Sequence, residues 1–121
     1  MNDLTSRVAF VTGASGGYKQ ALKRGEGLIQ SCRIGAAISI ALARLPLKAL
    51  ALHYSRSAEA AENLRTSLAR SFPSLEITLH QADLSQAEAC QELVDEVLKA
   101  HKTVDIFISN AGAARRITDI L

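Results

Sequence analysis

Thr12-Gly13-Ala14-Ser15-Gly16-Gly17 follows directly on the apolar run Val8-Ala9-Phe10-Val11. Four apolar residues running into a glycine-rich turn are how a buried parallel strand delivers backbone to a phosphate-binding loop. The helix that should open at once, lending its unpaired N–H groups and positive dipole end to the anion, is late. Ile34-Gly35-Ala36-Ala37-Ile38-Ser39-Ile40-Ala41-Leu42-Ala43 arrives only after the block Tyr18–Arg33. Two further stretches, Asp83-Leu84 and Asn110-Ala111-Gly112, follow later apolar runs. Groups suited to proton transfer are dispersed: His53, His80 and His101 lie in or beside regular elements with no carboxylate at a fixed spacing, which reads as structural. Cys32 and Cys90 are far apart, with no CxxC and no accompanying histidine pattern, so neither a metal site nor a disulfide framework is expected. Reduced thiols in a cytoplasmic compartment fit that usage, a mitochondrial one being the alternative.

At 121 residues, with 48% hydrophobic and 21% charged content, the chain has the balance of a folded protein with a modest core. Aromatics are scarce and Trp is absent, which excludes stacking platforms for single-stranded nucleic acid. The formal net charge of +2 is concentrated in the block Tyr18–Arg33, where Lys19, Lys23, Arg24 and Arg33 face only Glu26. A nucleic-acid footprint needs basic residues spread over a face, so no nucleic-acid partner is expected. Met1–Arg7 carries no apolar run of the kind a secretory leader needs. The longest apolar region, from Ile34 to Tyr54, is broken by Arg44, Pro46 and Lys48 and does not make a membrane span.

The elements that must position these residues follow from period and punctuation. The helix from Ile34 should run to about Leu45, where Pro46 stops it. Leu47–Tyr54 reads as a second strand, buried on both faces. Ser55-Arg56-Ser57 is a polar turn in which Ser57 caps a helix from Ala58 to Phe72, with Ala61, Leu64, Leu68 and Phe72 on one face. Pro73-Ser74 ends it, and Leu75–Gln81 alternates as a third strand. Ser85-Gln86-Ala87-Glu88 has the pattern of a capping box for a third helix with Cys90, Leu93, Val94, Val97 and Leu98 on one face, fraying near His101-Lys102. Val104–Ser109 is a fourth strand. This alternation predicts an α/β fold, a doubly wound parallel sheet of order 3-2-1-4 with right-handed crossovers. The ligand crevice then lies at the carboxyl ends of strands one and four, with Gly13–Gly17, Ser55–Arg56, Asp83 and Asn110–Gly112 on one rim.

With these stretches in this order, the chain resembles the N-terminal half of the short-chain dehydrogenase/reductase family, whose signatures are TGxxxGxG, D-L or D-V after the third strand and NAG after the fourth. The resemblance covers nearly the whole sequence except Tyr18–Arg33 and implies a truncated Rossmann-type domain over residues 1–121. It implies that Gly13, Gly17 and Gly35 are the three motif glycines, Gly35 entered from Ile34, with Ser15 near the adenosine ribose and phosphates. It further implies that Asp83 and Leu84 lie beside the adenine, and that Asn110-Ala111-Gly112 stabilises the central sheet and flanks the cofactor. Each also has a plainer reading: a tight turn, a residue at the start of a helix, a strand exit. Within the family, His53-Tyr54-Ser55-Arg56-Ser57, His80-Gln81-Ala82-Asp83 and Ser109-Asn110-Ala111-Gly112 are most similar to 3-oxoacyl-(acyl-carrier-protein) reductase-like members, which implies a 3-oxoacyl thioester as a carbonyl substrate. Family members are usually homo-oligomers, which is not expected of this portion alone.

An NAD site places an acidic side chain at the end of strand two to accept from the ribose 2′-hydroxyl. Here that position offers Ser55 and Arg56, able to donate to and pair with a 2′-phosphate, so NADP(H) is favoured over NAD(H). The alternative is that Arg56 is a solvated turn residue.

Two departures from the family pattern stand out. Its catalytic Ser and Tyr-x-x-x-Lys lie beyond the fourth strand, and no residue here matches them: Tyr18 is followed four residues on by Leu22 and Tyr54 by Ala58. The block Tyr18–Arg33 also splits the glycine motif. Excising it and rebuilding one Gly restores TGASGGIG, and the codons allow it: Gly before Tyr reads as a donor-like G-T-A, Cys before Arg as an acceptor-like C-A-G or T-A-G. The block spans a whole number of codons, so a translated, unspliced intron is favoured over a native basic loop. The leading expectation is the NADP(H)-binding portion of an oxidoreductase, the alternatives being a non-catalytic nucleotide-binding module or a truncated product without function of its own. On this reading the 121-residue chain shows no NADPH-dependent reduction of a 3-oxoacyl thioester, and a turnover assay on the purified chain checks that expectation.

Overall fold

The computed structural model describes residues 4–14, 34–56 and 58–110. The elements run β1 (Val8–Val11), α1 (Ile34–Ala43), β2 (Ala49–Tyr54), α2 (Ala58–Ser71), β3 (Glu76–Gln81), α3 (Ala87–His101) and β4 (Ile106–Ile108). They build one parallel sheet in the expected order, β3-β2-β1-β4. Val8 pairs with Ala49, Val11 with both Leu52 and Ile108, and Tyr54 with Gln81, so the carboxyl ends of the strands share one rim. The expectations for Ser15, Gly17, the block Tyr18–Arg33, the Ser57 cap, Ala111 and Gly112 lie outside the described residues.

The two-residue period of the strands sorts the core into two layers. Ala9, Val11, Leu50 and Leu52 face α1 and α2, meeting Ala36, Ala43, Leu64 and Leu68. Phe10 and Ala51 face α3 through Leu93 and Val97. Helices α1 and α2 cover one face while the chain steps from β1 out to β3, and α3 covers the other as it returns past β1 to β4. A constant crossover hand requires that change of side. At the opposite rim, the Asp105 carboxylate accepts the Val8 N–H at 2.9 Å and an Arg7 Nη1–H at 3.0 Å, fixing β1 and β4 at their starts. The Val8 amide, and then Arg7, holds the Asp105 carboxyl below the usual carboxylate range.

Helix α3 does not use the capping box expected from Ser85 and Glu88. Its N-cap is Gln86, with no side-chain cap bond. The Asp83 carboxylate takes both the Ser85 N–H, at 3.0 Å, and the Ser85 hydroxyl, at 2.7 Å, and this local Asx-type turn takes up the backbone N–H that the Glu88 carboxylate of a capping box would accept. Nor does the helix fray at its far end. Lys102 takes φ 69° and donates its N–H to the Leu98 carbonyl at 2.7 Å, closing α3 beside His101.

Between β3 and α3 lies a polar layer that runs from the buried His80 and His101 out to the exposed Glu96. His80 Nδ1–H donates to Glu96 Oε1 at 2.7 Å, and Thr78 Oγ1 stands 2.7 Å from both His80 Nε2 and His101 Nε2. A hydroxyl carries one proton and two lone pairs, so at most one ring accepts from Thr78 and at least one donates to it. His80 thus has the carboxylate partner that no sequence spacing revealed. Burial pushes His53 and His101 below the ordinary value of 6.5, Glu76 opposing it at His101 and the Ala82 carbonyl at His53. Each therefore binds fewer protons folded than unfolded. Stability falls as the pH drops through 6.5 towards the depressed folded values, by at most about 1.4 kcal/mol per pH unit per group. The melting temperature should decline between about pH 7.5 and pH 5.5. His101→Gln should make that decline shallower; an unchanged slope in this variant assigns the acid sensitivity elsewhere.

Candidate functional site

The rim is built around one residue, Gly13. After β1 the chain turns at Gly13, whose φ of 63° lies in the left-handed region open to a residue without Cβ. The Gly13 N–H donates to His53 Nδ1 at 3.0 Å and the Ala14 N–H to the His53 carbonyl at 2.9 Å. The Gly13 carbonyl accepts from Asn110 Nδ2 at 3.1 Å, while the Asn110 N–H donates to Thr12 Oγ1 at 2.9 Å. Helix α1 opens against the same carbonyl. A Cβ on Gly35 would collide with Gly13 O and stand 2.7 Å from Asn110 Nδ2. Ser39, fully buried, donates its hydroxyl to the Gly35 carbonyl at 2.7 Å. Gly13, Gly35 and Asn110 thus form a three-way junction between β1, α1 and the exit of β4. Since the N–H groups of residues 13 and 14 are spent on His53, Gly13 shapes the turn and donates nothing to an anion.

The other side of the rim is held from β2 and β3. His53 is buried and its Nε2–H donates to the Ala82 carbonyl at 2.9 Å, tying the exit of β3 to the Gly13 turn. Ser55 and Arg56 are exposed at the end of β2, and Gln81 Nε2 donates to the Ser55 carbonyl at 2.9 Å. Asp83 is exposed and ionised: the Ser85 hydroxyl, and then the Ser85 N–H, hold its carboxyl below the usual range, with the Arg56 guanidinium adding to the effect. Leu84 packs with Ala82 on the α3 side, and its carbonyl accepts from the free thiol of Cys90 at 3.4 Å. Ile34, at the open end of α1, is 57% exposed. The structure therefore joins Gly13, Gly35 and Asn110 directly, and sets Ser55, Arg56, Asp83 and Leu84 along the flank. His53 was not among the residues expected here. Its signal was present, because a polar ring at the penultimate position of a buried strand, on a rim that binds ligand, must answer for its two nitrogens.

The residues fit a dinucleotide: a glycine turn, a helix start that excludes any side chain, and a cation at the end of β2 where no carboxylate stands. Among the described residues, no group of three or more His, Cys, Asp and Glu could hold a metal ion. No helix among them is long and apolar enough to cross a membrane.

The sequence model of the family described as short chain dehydrogenase matches residues 30–120. No curated protein sequence matches the chain. Among solved structures, the chain is similar to an alcohol dehydrogenase from the archaeon Thermococcus sibiricus complexed with 5-hydroxy-NADP, at 34% identity and a TM-score of 0.64 over 84% of this chain and 35% of that one. A short-chain dehydrogenase/reductase from Serratia marcescens matches at 30% identity and a TM-score of 0.70, over 92% of this chain and 38% of that one. A dehydrogenase/reductase from Sinorhizobium meliloti matches at 31% identity and 0.69, over 91% and 36%. The chain spans little more than a third of the length of these structures.

Gly35→Ala tests the junction. In an exposed helix the change would gain about 1 kcal/mol of propensity. Against the Gly13 carbonyl it costs overpacking of roughly 1–3 kcal/mol or more, because backbone on both sides must move. The variant should melt at a lower temperature than the parent; equal or greater stability would show that α1 stands further from β1 than described.

Proposed function

The chain belongs to the short-chain dehydrogenase family, and from that membership we propose that it forms the dinucleotide-binding portion of an oxidoreductase that interconverts a carbonyl and an alcohol, with NADP(H) as its cofactor. The bound nicotinamide would supply or accept a hydride. What this chain contributes is the seat. The observation that carries the reading is the junction of Gly13, Gly35 and Asn110, where a helix start is pressed against the turn after the central strand with space for hydrogen only. That closeness brings the unpaired N–H groups and positive end of α1 to the crevice, where a pyrophosphate is favoured. Ser15 and Gly17 would complete the loop, with Ile34 leading into the helix. Asp83 and Leu84 would border the adenine, and Asn110-Ala111-Gly112 would close the far side.

The preference for NADP(H) rests on Ser55 and Arg56. The guanidinium pairs a phosphate bidentately and the serine hydroxyl donates to it, whereas the nearby Asp83 carboxylate is already engaged by Ser85. A 3-oxoacyl thioester is the substrate proposed from the residues flanking the rim, His53–Ser57, His80–Asp83 and Ser109–Gly112, and a reducing, cytoplasmic compartment suits the free thiol of Cys90. We read the block Tyr18–Arg33 as a translated intron.

The test compares the full chain with a variant in which residues 18–33 are replaced by one Gly. NADPH at a hundred times its Kd adds about 2.7 kcal/mol to a chain that binds it only when folded. The variant should show the larger thermal shift, and NADPH should exceed NADH. Arg56→Asp should then weaken NADPH roughly tenfold or more while sparing NADH, since it exchanges a charge-assisted bond for repulsion. No shift with either dinucleotide overturns the function; equal shifts in chain and variant make the block a native loop; equal losses for both cofactors leave Arg56 structural.

A further inference from the structure

We infer that His53 is a positioning residue for the turn after β1: in its neutral, Nε2-protonated form it fixes the Gly13 peptide, and protonation of the ring releases that turn and weakens dinucleotide binding. The inference rests on the dinucleotide reading above for its ligand, and on geometry for its mechanism.

The hydrogen bonds determine the tautomer. A backbone N–H only donates and a carbonyl only accepts. The Gly13 N–H, 3.0 Å from Nδ1, therefore requires an unprotonated Nδ1, and the Ala82 carbonyl, 2.9 Å from Nε2, requires a proton there. The ring is 1% exposed, so water does not substitute for either partner. An imidazolium would carry a proton on both nitrogens and set Nδ1–H against the Gly13 N–H, two donors facing one another. The acidified ring must then turn away from Gly13, or the Gly13 peptide must rotate. The same residue's carbonyl holds the Ala14 N–H, so two consecutive amides of the turn depend on where His53 sits.

The surroundings place this transition below the ordinary histidine value of 6.5. Burial lowers the His53 ring from its ordinary 6.5, the Ala82 carbonyl pulls the other way, and the charge of His80 on β3 lowers it further. His80 is itself paired with Glu96 on α3. Helix α1, packed over the turn, carries no charged residue. On the rim, Asp83 is engaged by Ser85, and Arg56 is exposed beside it. At neutral pH the ring is neutral and the turn is held; on acidification it is released.

The experiment uses the full chain, labelled with 15N, titrated downward from about pH 7.5 through the midpoint of the His53 ring. At the upper end the His53 ring nitrogens should report Nδ1 bare and Nε2 protonated, and the Gly13 amide resonance should move with the same midpoint as the ring. The NADPH dissociation constant should rise by roughly tenfold across that midpoint, the loss of one hydrogen bond and the exposure of a buried donor. His53→Asn supplies an oxygen near the position of Nδ1 that accepts from Gly13 and does not titrate, so its NADPH affinity should stay within about threefold of the parent and be flat with pH. His53→Leu removes the acceptor, and its affinity should be lowered about tenfold at every pH. A Gly13 amide that ignores the His53 titration, or an Asn variant with the parental pH profile, overturns the inference. If NADPH is not bound at any pH while the Gly13 amide follows the ring, the cofactor reading falls and the hold of His53 on the turn stands.

Discussion

Where α1 meets β1, the Cα of Gly35 rests on the carbonyl of Gly13 with no space for a methyl group between them. Much of the rim is arranged around that single residue. Its carbonyl serves α1 as a packing surface and Asn110 as an acceptor, and its N–H serves His53. The left-handed turn at Gly13 sets the relative direction of the two peptide groups that flank it, so that its N–H reaches His53 and its carbonyl reaches Asn110 and α1. Helix, central strand, β2 and the exit of β4 are thereby referred to one point, and the crevice they outline is only as precise as that contact.

The two faces of the sheet are secured differently. Under α1 and α2 the contacts are aliphatic, with Leu50, Leu52, Leu64 and Leu68 at its centre. Packing of that kind contributes most of the burial free energy and tolerates small slips. Under α3 the aliphatic cluster is smaller. Phe10 and Phe107 meet at 5.4 Å, and the chain of Glu96, His80, Thr78 and His101 occupies the rest. Among the described residues, no buried side-chain nitrogen or oxygen is left without a partner. A satisfied polar network adds little net energy but punishes displacement, because each shift strands a buried group. It sets the register of α3 on β3, and β3 leads directly into Ala82, the acceptor for His53.

Much of this was legible in the residues. Apolar runs punctuated by Pro46, Pro73 and the polar turn at Ser55 gave the elements to within a residue or two, and the alternation of strand and helix gave the sheet order. Gly35 was legible as a motif position, although its contact with Gly13 is visible only in three dimensions. Three features were not. The bond from His53 to Gly13 joins residues forty positions apart, and that from His80 to Glu96 joins a strand to the helix after it. No periodicity encodes either. Ser85 with Glu88 matched a capping box by spacing, but Asp83, two residues upstream, competes for the same serine and wins with two short bonds. Local pattern identifies which groups are available; which of two nearby acceptors takes a donor is decided by the backbone path.

The grip of Asp105 on Val8 spans 97 residues of sequence, and it has a consequence for biosynthesis. The central strand is the first to leave the ribosome, yet one of its two edges finds its neighbour only when β4 emerges. At roughly 5–20 residues per second, β1 waits on the order of ten seconds with one row of amides and carbonyls unsatisfied. Its four side chains, all buried once folded, are apolar, so until β4 emerges the nascent chain carries the kind of segment that chaperones retain and that neighbouring nascent chains pair with. The contact that brings β4 to β1 is also the one that ends this exposure.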